Sequence, residues 1–133
     1  VESVLAHILF SVPAIKGLEF GSGFGIAEML GSEANDSYYY DGDQIKTRTN
    51  HNGGILGGIT DGMPIIYKVA IKPPASITKV QQTINIEDKT AAELSVEGRH
   101  DPIIVPRAIP VLEAVTAIAI LDLLLDSKFY KYD

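Results

Sequence analysis

Gly98-Arg99-His100-Asp101-Pro102-Ile103-Ile104-Val105-Pro106-Arg107-Ala108-Ile109-Pro110 sets fixed and titratable charges among prolines and leads straight into the apolar run Val111 to Leu125. That run decides the fold class. Residues from about Ile109 to Leu125 read as a strongly apolar helix, buried on most sides, closing a chain otherwise rich in short strands. Pro102 and Pro106 bias His100-Asp101 and Val105 toward extended backbone, so the charges ride on a stiff connection at the mouth of this helix. Such a connection suits a site. It suits equally a charged helix-leading loop, with Asp101 as a helix-terminus acid and Arg99 as its surface partner. The residues alone leave both readings open.

Upstream, apolar positions 1, 4, 5, 8 and 9 mark one face of a first helix that ends at Ser11 and Pro13. Ile15 to Phe20 alternates into the turn Gly21-Ser22-Gly23, and a short helix follows from about Phe24 to Leu30. Gly31 to Ser37 is a run of loop formers, and Tyr38 to Thr49 reads as a hairpin turning at Asp41-Gly42. Ile65 to Ile71 is the next strand, Lys72 to Ser76 a rigid extended loop, and two strands follow near Gln82–Ile86 and Glu93–Glu97. The order predicts an α+β domain over residues 1–133, a largely antiparallel sheet with helices packed on one face.

The composition suits one globular domain with a core: 133 residues, 46% hydrophobic and 21% charged. With no cysteine, a disulfide framework, a thiolate metal site and a cysteine nucleophile are excluded, and an intracellular setting is expected. A net charge of -6 argues against nucleic acid as a partner. Pro110 and Glu113 head the last apolar run and Asp122 and Asp126 punctuate its end, so no membrane anchor is expected. The first helix begins without a cap, an initiator Met or a basic leader, and the chain reads as a fragment.

Asn50 to Pro64 holds five glycines in fifteen residues, so backbone must approach something closely there. It lacks the context of a dinucleotide fingerprint and the GK[ST] of a phosphate loop; close strand packing is the plainer explanation. Lys72, ahead of Pro73-Pro74-Ala75-Ser76, offers a cation and donors on a rigid apolar wall, suited to a phosphorylated or planar ligand or simply a solvated lysine. Arg99, Arg107, Lys46 and Arg48 also fall beside glycine- or proline-rich loops, a local positive potential that suits a small anion. His7, His51 and His100 lack metal-ligand spacing, and no metal site is expected; His7 reads as structural. Tyr38 to Tyr40 reads as sheet surface and core, and Glu113 as part of the last helix's first turn.

Taken together, SVPAIKGLEFGSGF, GSEAND, TRTNHNGGILGGITDGMPI, AIKPPASI and GRHDPIIVPRAIPVLEA resemble, in order and spacing, the C-terminal part of the chorismate synthase family. The resemblance implies half of a β-α-β sandwich, with the N-terminal part absent. The implied activity is that of a phosphate lyase, 1,4-elimination of phosphate from 5-enolpyruvylshikimate 3-phosphate to chorismate, with reduced FMN as cofactor. It further implies aromatic amino-acid biosynthesis, a cytoplasmic location, NADPH as reductant, a homotetramer, and no turnover by this piece alone. The family's FMN-binding positions fall on Pro13, Ala14, Gly57, Lys72, Pro73, Pro74, Ala75, Ser76 and Arg99. Arg99 and Asp101 are implied as catalytic, the first stabilising negative charge and the second handling the proton. Ile103, Asp61 and Pro13 depart from the commoner cysteine, asparagine and asparagine. A non-catalytic flavin- or phosphate-binding piece that needs an N-terminal partner is the alternative.

Overall fold

A computed structural model describes residues 1–129. In chain order the elements are α1 (Glu2–Ser11), β1 (Ile15–Phe20), a 3-10 segment (Gly23–Glu28), α2 (Gly31–Ala34), β2 (Tyr38–Asp41), β3 (Gln44–Thr47), β4 (Ile55–Leu56), β5 (Ile59–Thr60), β6 (Tyr67–Ile71), β7 (Gln81–Asn85), β8 (Thr90–Leu94) and α3 (Val105–Phe129). The α+β class is as expected, and every described strand pair is antiparallel. The strands do not merge into one sheet, however. Among the described residues they form four two-stranded ribbons, β1-β6, β2-β3, β4-β5 and β7-β8.

The β1-β6 ribbon organises the core. Its register pairs Leu18 with Val69 and Phe20 with Tyr67, and period-2 alternation turns these side chains with Ile71 toward the helices. Glu19 and Lys68, opposite each other on the other face, form an ion pair at 2.9 Å. Leu5 and Leu9, one turn apart on α1, are fully buried and meet Val12, Ile15, Ile55, Leu112 and Ala119. Tyr67 is anchored to α3 through its hydroxyl, 2.7 Å from Thr116 Oγ1. The structure is thus one helical layer on one face of the ribbon.

Several expectations change, the first of them at α3. α3 begins at Val105, so Val105 is helical rather than extended, and Pro106 sits in the first turn, where a missing N–H costs nothing. Pro110 lies inside the helix, Glu113 beyond its first turn, and α3 is long and apolar enough to cross a membrane by length and composition. Among its described residues only Leu112 and Ala119 are buried; Ile109, Ile118, Leu121 and Leu125 are exposed, so the helix is not buried on most sides. Second, Gly31 to Ala34 forms a helical turn where a loop was expected, because Glu33 Oε2 accepts from the backbone N–H of Leu30 at 2.8 Å. Third, the short helix after β1 is 3-10 and ends at Glu28. His7, expected to be structural, is exposed on α1.

Candidate functional site

Ala14 is one of two non-glycine residues with positive φ among the described residues, at 71°, a conformation that costs an L-residue roughly 1–2 kcal/mol. Its carbonyl accepts the backbone N–H of Lys72 at 2.7 Å, one step beyond the pair Ile15 and Ile71. The end of the β1-β6 ribbon therefore joins Pro13-Ala14 to the start of the Lys72–Ser76 loop. A groove of about 230 Å³ opens beside this junction, lined by Lys72, Pro73 and Pro74 on one side and Pro102, Ile103 and Ile104 on the other. The two proline-rich loops, separate in sequence, thus face each other. Further along, Ala75 accepts from Gln81 Nε2 at 3.1 Å, which ties the loop to β7.

The charged segment that leads α3 is arranged otherwise than expected. The partner of Asp101 is Arg107, not Arg99: Nη1 donates to Oδ2 at 2.8 Å and Nη2 to Oδ1 at 3.2 Å. The ring of His100 is bound locally, since Nε2 lies 2.8 Å from the carbonyl of Val96 and a carbonyl only accepts. Lys46 pairs with Asp41 on the β2-β3 hairpin and Arg48 lies 5.2 Å from the centre of the Tyr39 ring, so neither joins the groove. Among the described residues Lys72 and Arg99 form no ion pair. Those two remain available to an anion.

Gly57 lies elsewhere. With Gly58 it makes the two-residue tip of the β4-β5 hairpin, φ 60° and 83°, which only glycine adopts freely at both positions. The backbone nitrogen of Val1 lies 2.8 Å from the Gly58 carbonyl oxygen, so the tip stands at the start of α1 while Ala14 follows its end. Ten helical residues span about 15 Å. A ligand reaching both must be extended.

Sequence reasoning missed a second polar cluster behind that hairpin. Asp36, 6% exposed, accepts at Oδ1 from Thr49 Oγ1 (2.7 Å) and the backbone N–H of His51 (2.8 Å). Its Oδ2 accepts from the backbone and side-chain N–H groups of Asn52, both at 2.9 Å. Burial pushes this carboxyl upward, but the donors from Asn52, His51 and Thr49 outweigh it and hold the group below its ordinary value. On the opposite side Ser22 Oγ and His51 Nδ1 lie 2.7 Å apart, and Ser22 N–H donates to the His51 carbonyl. The signal available was an aspartate in a polar loop preceding a glycine-rich one, which does not reveal burial.

The family whose model matches residues 1–125 is described as chorismate synthase. A chorismate synthase from Methanococcus aeolicus is 55% identical over 126 residues, covering 94% of this chain and 34% of that protein. One from Lachnoclostridium phytofermentans is 52% identical over 135 residues, covering 100% of this chain and 36% of that protein. A crystal structure of chorismate synthase superposes with a TM-score of 0.72 at 32% identity, over 95% of this chain and 30% of that one. The chain spans about a third of the length of the curated relatives it matches. The extent and identity of these matches, together with the shared fold, establish that this chain belongs to the chorismate synthase family.

Proposed function

We propose that the chain supplies the flavin-facing part of a chorismate synthase, which eliminates phosphate from 5-enolpyruvylshikimate 3-phosphate to give chorismate. The observation that carries this reading is the strained Ala14 backbone bonded to Lys72, whose loop Lys72–Pro74 faces Pro102–Ile104 across one groove, in a chain of this family. The residues suit reduced FMN, a planar ring system with an anionic tail: Pro73, Pro74, Pro102 and Ile103 offer an apolar wall, and Lys72 and Arg99 are cations without an ion-pair partner among the described residues. Pro13, Ala14, Gly57, Lys72, Pro73, Pro74, Ala75, Ser76 and Arg99 would hold it. When bound, reduced FMN supplies an electron to the elimination and recovers it, with no net redox change.

In this reading the substrate loses a proton from one ring carbon and inorganic phosphate from another, and a new double bond forms. Arg99 meets the developing phosphate charge with its planar fork of donors. Asp101 takes the proton: Arg107 uses one direction at each oxygen, and a carboxylate has further lone pairs to offer. The same reading makes the protein a cytoplasmic homotetramer in aromatic amino-acid biosynthesis, with NADPH as the source of reducing equivalents.

The test supplies this chain as part of a polypeptide of its relatives' length, with reduced FMN and 5-enolpyruvylshikimate 3-phosphate under anaerobic conditions. Chorismate is expected, with Arg99→Ala and Asp101→Asn each slower by at least about a hundredfold. Full activity in both variants, or no chorismate from the parent, overturns the reading.

A further inference from the structure

We propose that Asp36 is a positioning residue of the flavin site, holding Thr49 to Asn52 and so fixing the hairpin that carries Gly57; this rests on the function proposed above. The four donors to the buried carboxylate all come from one four-residue segment. The same segment is held from its other side, where Asn50 Nδ2 donates to the Pro64 carbonyl at 2.9 Å and Asn50 Oδ1 accepts from the Gly54 N–H at 2.6 Å. The hairpin base is then closed by Asp61 N–H donating to the Gly54 carbonyl at 3.1 Å, and Ile55 enters the core. From Asp36 to the tip at Gly57-Gly58 the path is hydrogen-bonded or packed at each step.

A buried carboxylate is a poor device for stability alone, since its desolvation offsets much of what its bonds contribute. Its strength is geometric: two oxygens with four directed donors admit one backbone arrangement where apolar packing admits several. A loop that must present bare glycine backbone to a ligand, with no side chain to steer it, needs such support from behind.

The experiment measures FMN affinity by flavin fluorescence, with melting temperature alongside, in a polypeptide of the relatives' length. Asp36→Asn replaces one acceptor oxygen by an amide that faces donors and is expected to raise the FMN Kd about tenfold or more. Thr49→Val removes one donor and is expected to raise it a few-fold. Leu9→Ala, which destabilises the core, serves as control and is expected to leave the Kd unchanged at a temperature where it is folded. A folded Asp36→Asn with parental affinity overturns the proposal; should Asp36→Asn not fold, parental affinity in Thr49→Val does so. A parent that binds no FMN sinks the functional reading itself, whereas binding that is lost in Lys72→Ala but kept in Asp36→Asn sinks this one alone.

Discussion

Arg107 grips Asp101 with both arms of its guanidinium, at 2.8 and 3.2 Å, across the start of α3. The placement is informative because a cation in the first turn sits at the wrong end of the helix dipole. Arg107 is largely open to solvent and Asp101 partly so, and the pair contributes little to stability. What it does is hold the Asp101 carboxylate in one orientation. For the proposed reaction, Arg107→Ala is expected to leave the melting temperature nearly unchanged while kcat falls about a hundredfold, the cost of a misplaced proton acceptor. Arg107→Lys restores charge but not the bidentate fork and is expected to recover little of the rate. Steady-state kinetics and a thermal melt on the same preparations decide the matter; equal losses in both would make Arg107 merely structural.

Ala14 makes the second prediction. Its φ of 71° is available to glycine without strain, so Ala14→Gly is expected to stabilise the fold by about 1 kcal/mol in denaturant unfolding, and Ala14→Val to destabilise it by more. A melting temperature unmoved by either would show that the backbone is relaxed at this position.

The parts of the structure differ in how far the sequence discloses them. The β2-β3 hairpin and the close approach in the glycine-rich segment were legible because they rest on local backbone rules: Asp41-Gly42 marks a turn, and paired glycines mark a crowded or left-handed backbone. The start of α3 was not, because Pro106 and Pro110 weigh against a helix locally, although the first falls where its missing N–H is harmless. Packing explains the exposed face of α3: only α1 lies against it among the described helices, and apolar content does not say how many neighbours a helix has. Arg107 as the partner of Asp101, and Asp36 as a hub, both depend on contacts that sequence order does not encode.

Acid should expose the Asp36 network. The folded carboxyl titrates below its ordinary value of 3.8, so the unfolded chain binds this proton first. Its contribution is therefore complete above that value and is lost as pH falls through the lower folded one. Melting temperature plotted against pH is expected to drop more steeply below pH 3.8 in the parent than in Asp36→Asn. Parallel curves would mean that the carboxyl has no preferential partners in the folded state.

Gly21 and Gly53 allow the sharpest test of the backbone packing on which the Asp36 segment rests. A Cβ on Gly21 would lie 2.0 Å from the His51 carbonyl oxygen and 2.4 Å from the Gly53 nitrogen, and one on Gly53 would lie 2.5 Å from the Gly21 nitrogen. Both glycines also have positive φ, so an alanine there is strained before any clash is counted. These are backbone atoms held by the Ser22–His51 and Gly21–Ile66 hydrogen bonds, which cannot swing aside as a flexible side chain would. Gly21→Ala and Gly53→Ala are each expected to destabilise the fold by at least about 2–3 kcal/mol, well above the cost of a surface substitution. Gly25→Ala, whose Cβ meets nothing within 4 Å and whose φ is not positive, is the matched control and is expected to stay close to the parent. If all three unfold at the same denaturant concentration, the turn after β1 and the glycine-rich segment are not in contact, and the route from Asp36 to Gly57 loses its footing.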